Sequence, residues 1–539
     1  MNRRPTLTQS MSGLHTWAGL LIGWVLYAIF LTGTLAVFDR EINWWMQPEF
    51  RDRGVDQVRA AQHAQRWLED KHAGAPNWSI TLPTERAPLL SVSAGERRRG
   101  GGQVLDAETG EPVKARDTVD GNFFFRFHYT LHMPRDIGVW AVGFAGMAML
   151  VALVSGVIIH KKIFKDFFTF RPGKGQRSWL DGHNASGVLL LPFHLMITYT
   201  GLVIFFTIYM PAAMDAFYGG DRVAMLRDGR EAAVEQVDER GEDEARKGER
   251  LRGAEGQRLE RGHRTAAPRL DMLPLERFIE RAEAHYGRGM IAGLSVSNPG
   301  RHGAQVTVRP LLGSRIELTK GEGIVFDAAT GALVQAPSPS RATLLTQRVM
   351  AGLHFAQFGG YPMRWIYFVC GLVSCVMIAT GLVLYTVKKR KQAAASPTGR
   401  RFLRVVEGLN VAAVAGLTVA CIALLWANRL LPVTLAERTG WELRIFFGIW
   451  SLSLIHGWLR PPRKAWREQF GGAAVLCMAL PAVGGGLVGE AADPIRFGLE
   501  ACVVVTGVLL AWLARSVSCA PAPLVRDRST GGALSEVCK

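Results

Sequence analysis

The chain has 539 residues, 48% of them apolar, and a formal charge of +17. Its apolar residues are gathered in long blocks, which excludes a soluble protein built as one small domain. The positive charge is accounted for by short basic loops beside those blocks and by one arginine-rich segment, which excludes nucleic-acid binding as its meaning.

Eight runs approach the roughly 20 residues that cross hydrocarbon. They are 16–38, 137–160, 184–210, 362–387, 407–427, 441–459, 470–489 and 494–514. The first is too long for a cleavable signal peptide, carries Gly19, Gly23 and Gly33 along a helix, and leads into Trp44-Trp45, which reads as an interfacial anchor. Lys161, Lys162, Lys165, Arg171, Lys174 and Arg177 follow the second run, Lys388 to Lys391 the fourth, and Arg460, Arg463, Lys464 and Arg467 the sixth. By the positive-inside rule these loops and the N-terminus, with Arg3 and Arg4, are cytoplasmic, and 39–136 and 211–361 face the other compartment, the periplasm of a bacterial cell. Cys370, Cys375, Cys421, Cys477 and Cys502 lie in apolar runs and Cys519 and Cys538 in the tail, so the external segments are expected to fold without disulfides.

The expected organisation is a duplicated helix–domain–helix unit: residues 1–38, an external domain 39–136, a helical pair 137–210, a second external domain 211–361, and a helix with its basic loop 362–399. Each external segment holds the same element, Asp106-Ala-Glu-Thr-Gly110 in one and Asp327-Ala-Ala-Thr-Gly331 in the other, flanked by alternating apolar residues. Asp-x-x-Thr-Gly between such runs predicts a strand–turn–strand hairpin with glycine at positive φ. Helical spacing over Val58–Lys71 and Leu275–Tyr286 completes two small α+β domains. Segment 228–266 is almost pure Arg, Glu, Asp and Gly and predicts a solvated insert. Residues 400–539 add four further spans that do not copy the unit.

Histidines mark the repeat. His15 lies 17 residues before Thr32-Gly33 and His183 lies 17 before Thr200-Gly201. Leu131-His132 precedes Ser155-Gly156, and Leu353-His354 precedes Thr380-Gly381. Ionisable side chains at membrane entries are costly unless partnered, so four at matched positions point to paired, metal-binding use of imidazole. His132 and His160 are 28 residues apart, about 42 Å if helical, and therefore belong to opposite faces. The depths give His15 with His183 as an inner pair and His132 with His354 as an outer pair. His194 lies three turns past His183 at mid-membrane and competes as a ligand, as a relay, or as a hydrogen-bond donor to a helix kinked at Pro192. His128 shares a face with His132 and competes outside, and His160 competes with His15 inside. Gly156, Gly201 and Gly381 leave room for close helix approach or for a flat macrocycle. Arg126, Arg135 and Arg364 stand near the outer histidines as candidate anion partners or snorkelling anchors.

Paired Asp-Ala-x-Thr-Gly hairpins, Leu-His or Gly-His at helix starts and Thr-Gly or Ser-Gly late in the spans resemble the PepSY-associated transmembrane family. That family includes iron-regulated inner-membrane proteins and siderophore reductases of the ferrioxamine-reductase type. The resemblance covers roughly 10–390. It implies two PepSY-like periplasmic domains, two b-type haems held by the histidine pairs, and an oxidoreductase of the inner membrane that reduces ferric siderophores or chelates, fed by a quinol or a cytoplasmic reductase. Cys-x-x-Cys-His is absent, against covalent haem attachment. Two other classes stand beside this one: a siderophore or iron permease component, as duplicated membrane units suggest, and a membrane-anchored PepSY regulatory or binding protein. Against transport, the sequence lacks mid-membrane carboxylates and an obvious pair of interrupted helices.

Overall fold

The computed structural model describes the chain apart from residues 1–5, 51–55, 96–101, 161–170, 172, 211–214, 217–218, 220–270, 314, 319–322, 338–341, 485–492 and 520–539. The charged insert 228–266 and Lys161, Lys162 and Lys165 lie outside the described residues. In chain order the helices are α1 Leu7–Ala36, α2 Asp39–Met46, α3 Gln57–His72, α4 Asn122–Thr130, α5 Arg135–Ile159, α6 Gln176–Leu189, α7 Leu191–Ile204, α8 Leu275–Tyr286, α9 Ala342–Phe355 and α10 Gly360–Ala394. Beyond them come α11 Pro397–Val411, a π-helical turn Ala412–Gly416, α12 Leu417–Leu430, α13 Arg438–Leu459, α14 Pro462–Ala479 and α15 Pro494–Cys519. The strands are β1 Asn77–Thr81, β2 Leu90–Ala94, β3 Gln103–Leu105, β4 Ile291–Ser297, β5 Gln305–Pro310, β6 Ile324–Asp327 and β7 Leu333–Gln335. Two compact units result: a helical one of residues 1–47, 116–199 and 366–539, and an α/β one of 48–115 and 200–365.

Five helical segments are long and apolar enough to cross a membrane: α1, α5, α10, the continuous α11–α12 stretch Pro397–Leu430, and Pro494–Val517 within α15. The chain is a multi-pass helical membrane protein. A sixth candidate, α6 with α7, is bent by 65°. Pro192 lies just past the break; it has no N–H to offer the carbonyl one turn back, so the helix cannot run straight through. This broken span is the interrupted helix that the sequence reading did not find. Helices α13 and α14 form where the sixth and seventh runs were expected but, with Arg438, Glu442 and Arg444 in one and Arg463, Lys464, Arg467 and Glu468 in the other, are not among these candidates.

Side-chain ties join the C-terminal helices of the helical unit to its first helices. Trp24 Nε1 donates to Asn410 Oδ1 (2.7 Å), and Asn410 Nδ2 donates to the Leu382 carbonyl (3.1 Å), so one amide links α1, α10 and α11. The Ala412 carbonyl of the π turn accepts from the Leu417 amide and also from Trp450 Nε1, the latter at 2.9 Å. Trp44 and Trp45, expected as lipid-facing anchors, are 2% and 0% exposed. Their indole N–H groups donate to Asp493 (2.6 Å) and Glu500 (3.0 Å), and the Arg429 guanidinium lies 4.0 Å over the Trp45 ring. Carboxylates just before and within the last helix captured them because a buried indole N–H requires an acceptor.

The α/β unit departs from the expectation of two separate modules. Its seven strands form one sheet in the order β3-β2-β1-β4-β5-β6-β7, in which β1 and β4 pair antiparallel with Trp78 opposite Val296 and Ile80 opposite Leu294. The first copy supplies a helix and three antiparallel strands and the second a helix and four, and the seam between β1 and β4 joins the two. Alternation puts Trp78, Ile80, Val92, Leu294, Val296, Val306 and Val308 on the covered face, against Ala60, Ala61, Ala64 and Leu68 of α3 and Phe278, Ile279 and Ala282 of α8. Polar ties cross the copies: Gln57 Nε2 donates to the Ile291 carbonyl (2.8 Å), and the first amide of α8, Leu275 N, donates to Gln65 Oε1 (2.8 Å). Neither copy alone closes this core.

The Asp-x-x-Thr-Gly hairpins form as spacing dictates. Asp106 Oδ1 accepts from the amides of Glu108 (2.9 Å) and Thr109 (3.1 Å), and Asp327 Oδ1 from those of Ala329 (3.1 Å) and Thr330 (2.8 Å). Gly110 and Gly331 take φ of +76° and +71°, which a Cβ would strain. The amide and hydroxyl of Thr330 hold the Asp327 carboxyl below the usual carboxylate range.

Because the copies share a core, Ile80→Asp, which buries an unpaired charge at a cost of about 3–5 kcal/mol, should open both. Limited proteolysis of the variant is expected to cleave 57–115 and 275–335 together. Loss of protection in 57–115 alone would show two independent modules.

Candidate functional site

Four histidines in the described residues have one environment. His15 of α1 lies against Gly156 of α5, and its Nδ1 is 2.9 Å from the Ala152 carbonyl. His183 of α6 lies against Gly381 of α10, with Nδ1 2.8 Å from the Met377 carbonyl. His128 of α4 lies against Gly33 of α1, with Nδ1 2.8 Å from the Ile29 carbonyl. In the α/β unit, His354 of α9 lies against Gly201, with Nδ1 3.2 Å from Thr200 Oγ1. In the first three the accepting carbonyl is the fourth before the glycine.

The Thr-Gly or Ser-Gly pair now has a physical meaning. A Cβ on Gly33, Gly156, Gly201 or Gly381 would come within 2.5, 3.3, 2.8 and 3.0 Å of the facing ring respectively, so only glycine lets the ring close on the helix. The preceding hydroxyl bonds back along its own helix, at the shorter distance to the carbonyl four residues before it and at a longer one to the carbonyl that holds the imidazole. Thr32 reaches the Ile29 carbonyl (3.3 Å), Ser155 that of Ala152 (3.1 Å) and Thr380 that of Met377 (2.9 Å). One carbonyl oxygen, with two lone pairs, thus fixes both groups.

A carbonyl can only accept, so Nδ1 is the protonated nitrogen of His15, His128 and His183, and Nε2 keeps its lone pair. That is the tautomer a metal-binding imidazole needs, with the other ring nitrogen held by a backbone acceptor. The His15 and His183 rings have centroids 6.1 Å apart at an interplanar angle of 66°. Two imidazoles sharing one metal through Nε2, each at about 2.0–2.1 Å, place their centroids about 6 Å apart. Among the described residues no group of three or more His, Cys, Asp or Glu could hold a metal ion. Two lone imidazoles suit a metal whose remaining ligands come from a macrocycle rather than from protein.

The other sequence candidates part from this arrangement. His132, expected to be the outer ligand, is exposed in the turn after α4, where it and Leu131 take φ of +59° and +52°. It touches no glycine of the set; its ring packs beside Phe123 and Phe447. Its place is taken by His128, which the Leu-His match passed over because Leu131-His132 is the left-handed exit from α4 rather than its last turn. Asn184 Nδ2 donates to His160 Nε2 (2.9 Å), which occupies the lone pair a ligand would use. His194 is 0% exposed and donates from Nε2 to Ser374 Oγ at 3.0 Å, while Ser374 donates onward to the Cys370 carbonyl. His183 therefore keeps the inner seat, and His194 stands beside the broken span with its own role. Arg126 and Arg135 are exposed and Arg364 is 5% exposed.

The family model described as PepSY-associated TM region matches residues 12–388. The chain belongs to this family. All four seats lie in the matched region, while α11 to α15 lie beyond it. An uncharacterized protein of Pseudomonas aeruginosa is similar to this PepSY-associated chain, 25% identical over 351 residues that span 63% of this chain and 80% of the relative.

Gly19 and Gly33 separate the seat from ordinary helix packing. Ala in place of a helical Gly gains about 1 kcal/mol, and a Cβ on Gly19 meets nothing within 4 Å. Gly33→Ala is opposed by the His128 ring, and overpacking costs about 1–3 kcal/mol. In thermal melts of the detergent-purified protein, Gly19→Ala should hold or raise Tm and Gly33→Ala should lower it; equal effects would contradict the seat.

Proposed function

We propose that the protein is a di-haem oxidoreductase of the bacterial inner membrane that carries electrons from the cytoplasmic side to ferric siderophores or other ferric chelates in the periplasm. The observation that carries this reading is the His15–His183 pair, two imidazoles with free Nε2 atoms and centroids 6.1 Å apart. These two would hold the inner haem. By the same duplication the second haem would take His128 of the first copy. Bound haem would supply reversible one-electron chemistry, and one electron weakens a hard oxygen chelator's grip because ferrous iron is larger and less charged than ferric.

The protein's contribution is placement. His15 and Gly33 are 18 residues apart on α1, a rise of about 27 Å, which nearly equals the hydrocarbon thickness of roughly 30 Å. The His15 seat and the His128 seat thus mark opposite ends of one membrane-length helix. Each Nδ1–H given to a carbonyl raises the basicity of the opposite nitrogen and fixes the ring against rotation. The basic loops support a cytoplasmic N-terminus, with the α/β unit outside as a pair of PepSY-like modules facing the chelate.

One observation favours a second reading. The broken α6–α7 span, with buried His194 beside it, is the kind of interruption found at substrate sites of secondary transporters. A permease component would purify without haem absorbance.

Reduced-minus-oxidised spectra of single variants test the assignment. His15→Ala or His183→Ala should remove one b-type haem and leave the other, His128→Ala should remove the other, and His132→Ala should keep both. Ferric-chelate reduction should fall at least about 100-fold in the three ligand variants, the scale of losing a metal ligand or its support. Loss of a haem in His132→Ala with none in His128→Ala would overturn the outer assignment.

A further inference from the structure

The helices beyond the family region reach back to the segment that delivers His128. Residues 116–121 lead into α4, and this lead is held by a buried polar cluster on α12 and α13. Glu442 Oε2 accepts from the Thr118 hydroxyl and the Val119 amide, both at 2.8 Å. Glu442 Oε1 accepts from Arg438 (2.6 Å) and Asn428 (3.1 Å), and Arg438 also donates to the Asp117 carbonyl (2.6 Å). The ion pair is fully buried, with both side chains 0% exposed. Burying a charge pair inside a membrane protein is costly unless it is hydrogen-bonded, and here its partners are Asn428 and residues 117–119.

Aromatic packing continues the contact along α4. The Phe446 ring lies 4.8 Å from Phe123 and 6.0 Å from Phe127, and Phe123 and Phe446 are 3% and 0% exposed. On its other side α4 presents His128 to α1. Its exit to α5 runs through two successive non-glycine residues in the left-handed region, Leu131 and His132, a strained conformation for each. A turn of that kind persists only where its surroundings fix it, and the His132 ring is flanked by Phe447 of α13 at 5.6 Å.

We infer that α12 and α13 are a clamp that sets the position and roll of α4, with Glu442 as the positioning residue through which the C-terminal helices hold His128 on Gly33. The inference rests on the reading of His128 as a haem ligand. It assigns the C-terminal region a role that needs no partner protein. Glu442 touches neither the imidazole nor a reacting atom; it acts through the backbone of 118–119.

Two variants test it. Glu442→Ala leaves Arg438 buried without its carboxylate. The pair Arg438→Met with Glu442→Leu removes the same bonds to 117–119 while keeping an apolar, filled site, so that folding is retained. Glu468→Gln, in the separate cluster where Glu468 meets Arg460 and His456, is the control. In the double variant, amide exchange over 116–130 should accelerate on the order of tenfold or more, as expected for the loss of two or more hydrogen bonds. The His128-dependent haem signal should fall or shift in midpoint potential, with the His15–His183 signal unchanged. Accelerated exchange with both haem signals unchanged, or unaltered exchange over 116–130, would overturn the clamp. A wild-type protein without haem would instead sink the functional reading. In that case the exchange arm decides the clamp on its own, since it reads α4 whether or not haem is bound.

Discussion

A single backbone carbonyl, four residues before a glycine, organises the functional part of this molecule. It takes the Nδ1–H of an imidazole from another helix and the hydroxyl of the Ser or Thr that precedes the glycine in its own chain. The constraint has three consequences. The missing Cβ allows the approach, the proton is fixed on Nδ1, and the lone pair is thereby on Nε2. In the first copy the arrangement is reciprocal: α1 gives His15 to α5 and receives His128 at Gly33. In the second, α6 gives His183 to α10, and His354 lies on Gly201. The approach of a ring to a glycine, made four times and with a carbonyl as the partner of Nδ1 in three of them, turns a duplicated sequence into matched imidazole seats.

The sequence carried part of this plainly. His15, His183 and the four Thr-Gly or Ser-Gly pairs were legible because they recur at fixed spacing in apolar runs, and the hairpin glycines because Asp-x-x-Thr-Gly has only one comfortable backbone path. The glycines, however, were read as room for close helix approach or a flat macrocycle, whereas each receives a ring from another helix. His128 was harder. It lies on a nine-residue helix outside any apolar run, and the Leu-His dipeptide drew the reading to His132. Only the left-handed exit at Leu131 and His132 shows which of the two is on the helix. His160 and His194 were separated from the ligand set by their hydrogen-bond partners, Asn184 and Ser374, which no spacing reveals.

Long-range pairing was the other illegible part. Strands β1 and β4 are more than 200 residues apart in sequence, and each copy reads as a self-sufficient module until the unpaired edges of both are seen to meet. Trp44 and Trp45 looked like interfacial residues for a similar reason, since their acceptors are Asp493, just before the last helix, and Glu500 within it. The C-terminal helices were the least legible of all. They add no histidine seat, and their importance lies in contacts such as Asn410 with Trp24 and Glu442 with Val119. A family unit that ends at residue 388 is thus extended by helices that hold it.

The central claim is that the seated histidines hold two haems in one chain, one between His15 and His183 and one at His128, and haem stoichiometry tests it most directly. A pyridine haemochrome assay on the purified full-length protein, set against protein mass by amino-acid analysis, should give two non-covalent b-type haems per chain. A protein that purifies with none from haem-replete cells, folded and without Soret absorbance, would contradict the account.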